Sequence, residues 1–330
     1  MRWLISLSPT VRCIGVASRF GAPFSGCERA LEVLRQAGPP SVLRHNGLAA
    51  EWREMAVPEP STAALGILLR DLADATAAAI LAGDRPLIIG GDHSMATGNW
   101  RGIGCALGEA PGLICIDAHL DAHIRATSPS GNAHGMPLAA LLGLGDPAMV
   151  DMPGPALNPT RTVVIGVYSY EPAEVEHLAV MGVRVFAMGD NSERGLAEVY
   201  AEALRIVGNG PWGISIDLDA IDPEVVPPGY PPRLSEGLLP VSLNLAMRGA
   251  LRECNCVGLE ITEYNPAADP DGRTARLILI CWMRPRYRTA APCGAGKQIL
   301  APKTMRHCRS CCTKGMATGL PMSKVAAISI

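Results

Sequence analysis

The chain has 330 residues, of which 48% are hydrophobic but only 4% aromatic, with a formal charge of −2. Its core must therefore be built from Ala, Val, Ile and Leu, as in helix-covered parallel sheets, and no apolar run reaches the ~20 residues that would span a bilayer. The near-neutral total hides an asymmetry: residues 1–280 carry 20 basic and 31 acidic side chains, whereas residues 281–330 carry nine basic and none acidic.

In chain order, apolar runs bounded by Gly or Pro predict buried strands. They are Val11–Val16, Pro86–Ile89, Gly112–Ile116, Arg161–Val167, Val183–Phe186, Trp212–Ile216 and Cys256–Ile261. Between them, Ser61 is expected to cap an Ala-rich helix that stops near Gly83. Glu193–Val207 is amphipathic, and Val241–Leu251 and Arg273–Ile280 have helical spacing. Strand alternating with helix predicts an α/β fold whose mainly parallel central sheet is covered on both faces. The loops at the carboxyl ends of such strands build the site, and every polar cluster below directly follows a predicted strand.

After Pro86–Ile89 comes Gly90-Gly91-Asp92-His93-Ser94, in which two glycines allow a tight turn that presents His93. After Gly112–Ile116 comes Asp117-Ala-His119-Leu-Asp121-Ala-His123. In extended backbone, alternate positions share a face, so these four groups are expected to point the same way. Crowding them is costly unless a cation compensates. Asp217-Leu-Asp219 repeats the spacing after Trp212–Ile216, while Asp222, before Pro223, reads as a turn former. Glu260 and Glu263 end the last strand, where buried acids need a partner such as a cationic substrate.

His93 and His119 with Asp117, Asp121, Asp217 and Asp219 exceed the needs of one ion. Two ions ~3.5–4 Å apart would use them all. An oxygen-rich set with imidazole suits Mn²⁺ better than a thiolate-seeking zinc site.

Gly-Gly-Asp-His-Ser, Asp-Ala-His-x-Asp and Ser-x-Asp-x-Asp-x-x-Asp-Pro, in this order, resemble the ureohydrolase (arginase and agmatinase) family from about Ile14 to Ile280. The resemblance implies a three-layer α/β/α fold forming the catalytic domain in residues 1–280, a homo-oligomer (trimer or hexamer) and two Mn²⁺ per subunit. One ion would be held by His93, Asp117, Asp121 and Asp217, the other by Asp117, His119, Asp217 and Asp219. Within the family, Ser130-Gly-Asn132-Ala-His134-Gly resembles the arginase branch. Ser130 and Asn132 would then bind the substrate's α-carboxylate and His134 would transfer protons; on residue type alone, His134 also reads as a loop histidine capping the helix near Pro137. Glu263 would orient the guanidinium, Asp121 would accept a hydrogen bond from the attacking oxygen, and Glu171 aligns with the α-amino contact. His123 stands where arginases have Asn.

The expected reaction is cleavage of a small guanidino substrate, L-arginine to L-ornithine and urea. Agmatine or a guanidino acid is the alternative substrate within the family. A single-zinc amide deacetylase and a non-catalytic homologue are the alternatives outside it.

Beyond residue 281 no periodicity persists. Adjacent Cys311 and Cys312 make a poor pair of tetrahedral ligands and no second Cys-x-x-Cys follows. Residues 281–330 therefore read as a basic, Cys-rich tail, disordered or non-homologous, with no nucleic-acid or membrane partner. The start is too short for a secretory signal and the 11 cysteines sit at no framework spacing. The expectation is a cytoplasmic protein with reduced thiols.

Overall fold

Strands β1 (Val11–Gly15), β2 (Ala50–Glu54), β3 (Arg85–Ile89), β4 (Gly112–Ile116), β5 (Thr162–Val167), β6 (Arg184–Ala187), β7 (Trp212–Asp217) and β8 (Cys256–Thr262) form one sheet. Their order is β2-β1-β3-β8-β7-β4-β5-β6, with every neighbouring pair parallel. This is a computed structural model, which describes residues 9–61, 63–226, 237–240, 244, 250 and 253–280. Apart from Asn244 and Ala250, the helix expected at Val241–Leu251 lies outside the described residues, as does the tail 281–330.

The helices are α1 (Ala30–Ala37), α2 (Pro39–His45), α3 (Ala64–Leu81), α4 (Ala96–Leu107), α5 (Pro137–Leu141), α6 (Pro147–Val150), α7 (Pro172–Met181), α8 (Met188–Arg194), α9 (Leu196–Val207) and α10 (Arg273–Ile280). Successive strand residues point to opposite faces, and the core divides accordingly. Ile114 and Ile116 of β4 cluster with Val199, Ala203 and Val207 of α9, whereas Leu113 and Cys115 cluster with Trp100 and Ile103 of α4. The sheet is thus sandwiched between helices, the three layers expected. Among the described residues, no helix is long and apolar enough to cross a membrane.

Three local expectations are corrected. Helix α3 begins at Ala64 with no side-chain cap; Ser61 contributes only its carbonyl, which accepts from the Ala64 amide at 3.1 Å. The stretch Glu193–Val207 is not one helix, because Gly195 (φ 79°) separates α8 from α9. Cys13, Cys27, Cys105, Cys115 and Cys256 are free thiols, but Cys254 is disulfide-bonded.

The order of strands decides where the site lies. Clusters following β3, β8, β7 and β4 come from four strands that are adjacent in the middle of the sheet. Parallel pairing puts their carboxyl ends on one edge, so segments up to 170 residues apart in sequence meet there.

Candidate metal centre

At the end of β3, Gly90 and Gly91 take left-handed φ values of 86° and 81°, which glycine alone adopts without steric cost. Asp92 then caps the short turn His93–Met95. Its carboxylate accepts from the Ser94 amide at 3.0 Å, from the Ser94 hydroxyl, and from the Gly21 amide at 3.1 Å. His93 is thereby fixed and buried at 3% exposure.

The other acids converge, but not through extended backbone as expected. Strand β4 ends at Ile116, the Asp117 carboxylate accepts from the His119 amide at 2.7 Å, and Asp121 has φ 48°. This curled loop, not a shared strand face, collects Asp117, His119 and Asp121. Asp217 is the last residue of β7 and accepts from the Asp219 amide at 3.0 Å, which starts a short 3-10 turn carrying Asp219. Asp222 is the turn former expected, accepting from the Glu224 amide at 2.9 Å.

His93 Nδ1 lies 2.8 Å from Asp121 Oδ2, 3.2 Å from Asp117 Oδ2 and 3.3 Å from Asp217 Oδ2. His119 Nδ1 lies 2.9 Å from Asp219 Oδ2 and 3.7 Å from Asp117 Oδ1. Of three groups with ligand spacing among the described residues, two lie here, His93–Asp117–Asp121–Asp217 and Asp117–His119–Asp219, and Asp117 belongs to both; the third is His123–Glu171–Glu174. All six expected residues are brought together, but Asp217, expected in both sets, falls in the first group only.

These residues fit metal ions. His93 Nδ1 is buried among carboxylate oxygens yet completes no hydrogen bond. Burial, with Asp219 and Asp117 adding, pushes the Asp217 carboxyl well above its usual range; burial and Asp117 raise Asp121. Asp117 goes the other way: burial would raise it, but His119 and His93 hold it below the ordinary carboxylate range.

The imidazoles give a pH dependence. Asp219 raises His119 despite burial. For His93, burial acts downward but Asp117, Asp121 and Asp217 together lift it well above the ordinary value. Both rings thus keep a proton to higher pH than a free histidine when no metal is present, and a cation must displace it. Mn²⁺ affinity is expected to fall steadily as pH drops from 8 towards 6, with proton release on binding. Calorimetry in buffers of different ionisation enthalpy checks this; pH-independent affinity without proton release would contradict it.

Beside this cluster stands Glu263, 6% exposed, with φ 62°. Non-glycine residues seldom adopt this region, and such strain collects at functional sites. Its Oε1 accepts from the His93 amide at 2.9 Å and lies 3.4 Å from His134 Nδ1, while its Oε2 is buried without a hydrogen-bond partner. His134 faces Glu263, and its amide donates to the Gly21 carbonyl at 3.1 Å. Burial acts to lower His134, but Glu263 overcomes it and the imidazole is raised.

His123 departs from the shared face expected for it. Its Nε2 lies 3.1 Å from Glu171 and 3.5 Å from Glu174, and its Nδ1 is 3.1 Å from the Thr127 hydroxyl. Glu174 in turn accepts from the Ala122 amide and the Glu171 amide, both at 3.0 Å, tying the ligand loop to the start of α7. Burial and the Glu171 carboxylate push Glu174 up to about 8. Ser130 is exposed and accepts from the Asn132 amide at 3.2 Å; with Asn132 it sits on the loop that leads directly into His134.

Sequence reasoning missed the support beneath the ligands. Glu260 does not await a cationic substrate. It is fully buried and accepts from Asn99 Nδ2 at 2.8 Å, Trp100 Nε1 at 2.7 Å and the Ser215 hydroxyl. The period-two alternation of β7 and β8 could have placed Ser215 and Glu260 on a common face, but nothing local points to Asn99 and Trp100.

A model of the Arginase family matches residues 10–283. The arginase of Brevibacillus brevis is 32% identical over 288 residues, covering 83% of this chain and 96% of that protein. The structure of arginase from Bacillus cereus aligns with a TM-score of 0.76 at 29% identity, over 82% of this chain and 96% of that one. Formiminoglutamase of Trypanosoma cruzi, solved with Mn²⁺, has a TM-score of 0.70 at 16% identity and shares the fold. Sheet, site and relatives together define a ureohydrolase, an enzyme class that hydrolyses amidine C–N bonds. The chain belongs to the arginase family.

Proposed function

We propose that the protein hydrolyses L-arginine to L-ornithine and urea with two Mn²⁺ per subunit. The observation that carries this reading is the buried, unpartnered Glu263 Oε2 beside two ligand groups that share Asp117. A buried carboxylate oxygen without a donor costs free energy unless a cationic donor arrives, and a guanidinium is such a donor, with five N–H groups in a fixed fork.

His93, Asp117, Asp121 and Asp217 would hold one ion; Asp117, His119, Asp217 and Asp219 would hold the other. When bound, the ions supply the Lewis acidity that makes water a strong nucleophile near neutral pH. The chain's own residues do the rest. Glu263 binds the guanidinium through Oε2 and fixes its carbon relative to the ligand groups. Asp121, in its constrained left-handed conformation, accepts a hydrogen bond from the attacking oxygen. His134, beside Glu263, holds the proton that the leaving amine needs and delivers it as the C–N bond breaks. Ser130 and Asn132 donate to the α-carboxylate at the mouth.

The contact of His123 with Glu171 favours a second reading, hydrolysis of a guanidino acid that lacks the α-amino group. That pairing occupies the carboxylate expected to receive the α-amino group. The discriminating assay measures urea release from Mn²⁺-loaded protein with arginine, agmatine and several guanidino acids. A site built for a carboxylate leaves its donors unmade with agmatine, at about 1–3 kcal/mol for each group. Arginine is therefore expected to exceed agmatine in kcat/KM by about 10-fold or more. His123→Asn is expected to change that ratio while retaining metal, because His123 touches Glu171, Glu174 and Thr127 and not the two ligand groups. A wild-type preference for agmatine would overturn the arginine assignment.

A further inference from the structure

Ser215 and Glu260 are partners in the β7–β8 register, and two residues earlier Gly213 pairs with Gly258. The two glycines open a slot on the same face of the sheet. A Cβ on Gly213 would overlap the Trp100 ring, and one on Gly258 would lie 3.5 Å from it. Trp100, fully buried, fills the slot from α4 and aims its indole N–H at Glu260. With Asn99 donating to the other oxygen, Glu260 is held by two side chains of one helix turn.

The direction of the remaining hydrogen bonds follows from this. The Ser215 hydroxyl donates to Glu260 Oε1, so with Trp100 and Asn99 three donors converge on a group that answers them all as an ionised, acceptor-only carboxylate. The Ser215 oxygen then offers only lone pairs to His93 Nε2, 2.9 Å away. Nε2 must therefore carry the hydrogen of the ring. The lone pair of the neutral imidazole is left on Nδ1, which faces Asp117, Asp121 and Asp217 at 3.2, 2.8 and 3.3 Å.

We infer that Glu260 and Ser215 are positioning residues: a buried carboxylate, acting through a serine hydroxyl, sets the tautomer and angle of His93 so that Nδ1 is ready to bind a cation. The inference rests on reading the cluster as a metal centre. Neither residue touches the substrate. Their effect passes through His93 and is confined to the ion that His93 would hold, because the second group, Asp117–His119–Asp219, does not include His93. Such outer partners orient the ligand and raise its basicity, and their loss typically weakens metal binding about 10- to 100-fold.

The test titrates the metal-stripped full chain with Mn²⁺, following free Mn²⁺ by electron paramagnetic resonance. Wild type, Ser215→Ala, Glu260→Gln and the double variant are compared, with thermal unfolding of each to verify the fold. In Ser215→Ala, one of two Mn²⁺ equivalents is expected to weaken about 10- to 100-fold while the other is retained. The double variant is expected to be no weaker than Ser215→Ala, since Glu260 reaches His93 only through Ser215. Wild-type affinity at both ions in a folded Ser215→Ala protein would overturn the relay, and so would losses that simply add in the double variant. If Glu260→Gln does not fold, Ser215→Ala alone decides. Failure of wild type itself to bind Mn²⁺ would instead overturn the metal reading, and the relay with it.

Discussion

Asp117→Asn is expected to disable both ligand groups in one step, because Asp117 belongs to each of them. Mn²⁺ binding should weaken by more than about 100-fold, beyond what the loss of an outer partner costs, and urea release should fall to background. The fold should survive. The Asn side-chain oxygen can still accept from the His119 amide, as Asp117 does at 2.7 Å. Removing one charge also relieves Asp217 and Asp121, both of which Asp117 helps to push upward. The substitution also removes the charge that pairs with His93 and His119, so the two effects oppose and metal-free Asp117→Asn is expected to stay folded, as thermal unfolding checks. Asp219→Asn, which alters the second group alone, should keep one ion. An Asp117→Asn protein that bound two ions and released urea would contradict the shared-ligand geometry.

His134→Asn should separate chemistry from metal binding. His134 is absent from both ligand groups and its Nδ1 lies 3.4 Å from the carboxylate proposed to hold the guanidinium. General acid catalysis is worth roughly 10²–10⁴ in rate, so kcat should fall by about that factor while Mn²⁺ content is unchanged. The raised His134 keeps its proton to higher pH than a free histidine, since the neighbouring Glu263 outweighs burial. Proton delivery should accordingly persist through neutral pH and fail on the alkaline side. Steady-state kinetics with metal analysis of the same samples distinguishes the cases: equal loss of activity and manganese would make His134 structural.

The parallel sheet and the residues that cluster at its carboxyl edge were legible because both depend on local pattern. Buried runs such as Leu87-Ile88-Ile89 and Ile214 to Ile216 announce strands, and polar groups straight after them announce the carboxyl edge. Strand β2 has no such signature. It lies at the sheet's edge, and Glu51 and Glu54 are paired with Arg12 at 2.7 Å and Arg35 at 2.6 Å, so its alternation is one of charges. Helix α4 contains Gly98, Gly102 and Gly104, which local propensity disfavours in a helix. Its reason lies in tertiary packing: side chains on Gly98 and Gly102 would collide with the backbone of α3 at Leu69 and Ala73.

The site shows the same division. Residue types and spacing pointed to the clustered histidines and aspartates, but the route of the chain was misread. Asp117, His119 and Asp121 meet because the loop curls through a left-handed Asp121, which an alternating pattern does not encode. The contacts of His123 with Glu171 and of Glu260 with Asn99 and Trp100 join segments 48 to 161 residues apart. Only the register of the sheet and the docking of α4 and α7 bring them together.

The most direct measurement is the manganese content of the full chain after equilibrium dialysis, set against urea release from arginine in the same samples. The expected result is saturation at two Mn²⁺ per chain, with urea release rising to its maximum as the second ion binds. Saturation at a single ion per chain with full activity, or two ions bound without release of urea, would contradict the proposed two-metal hydrolysis.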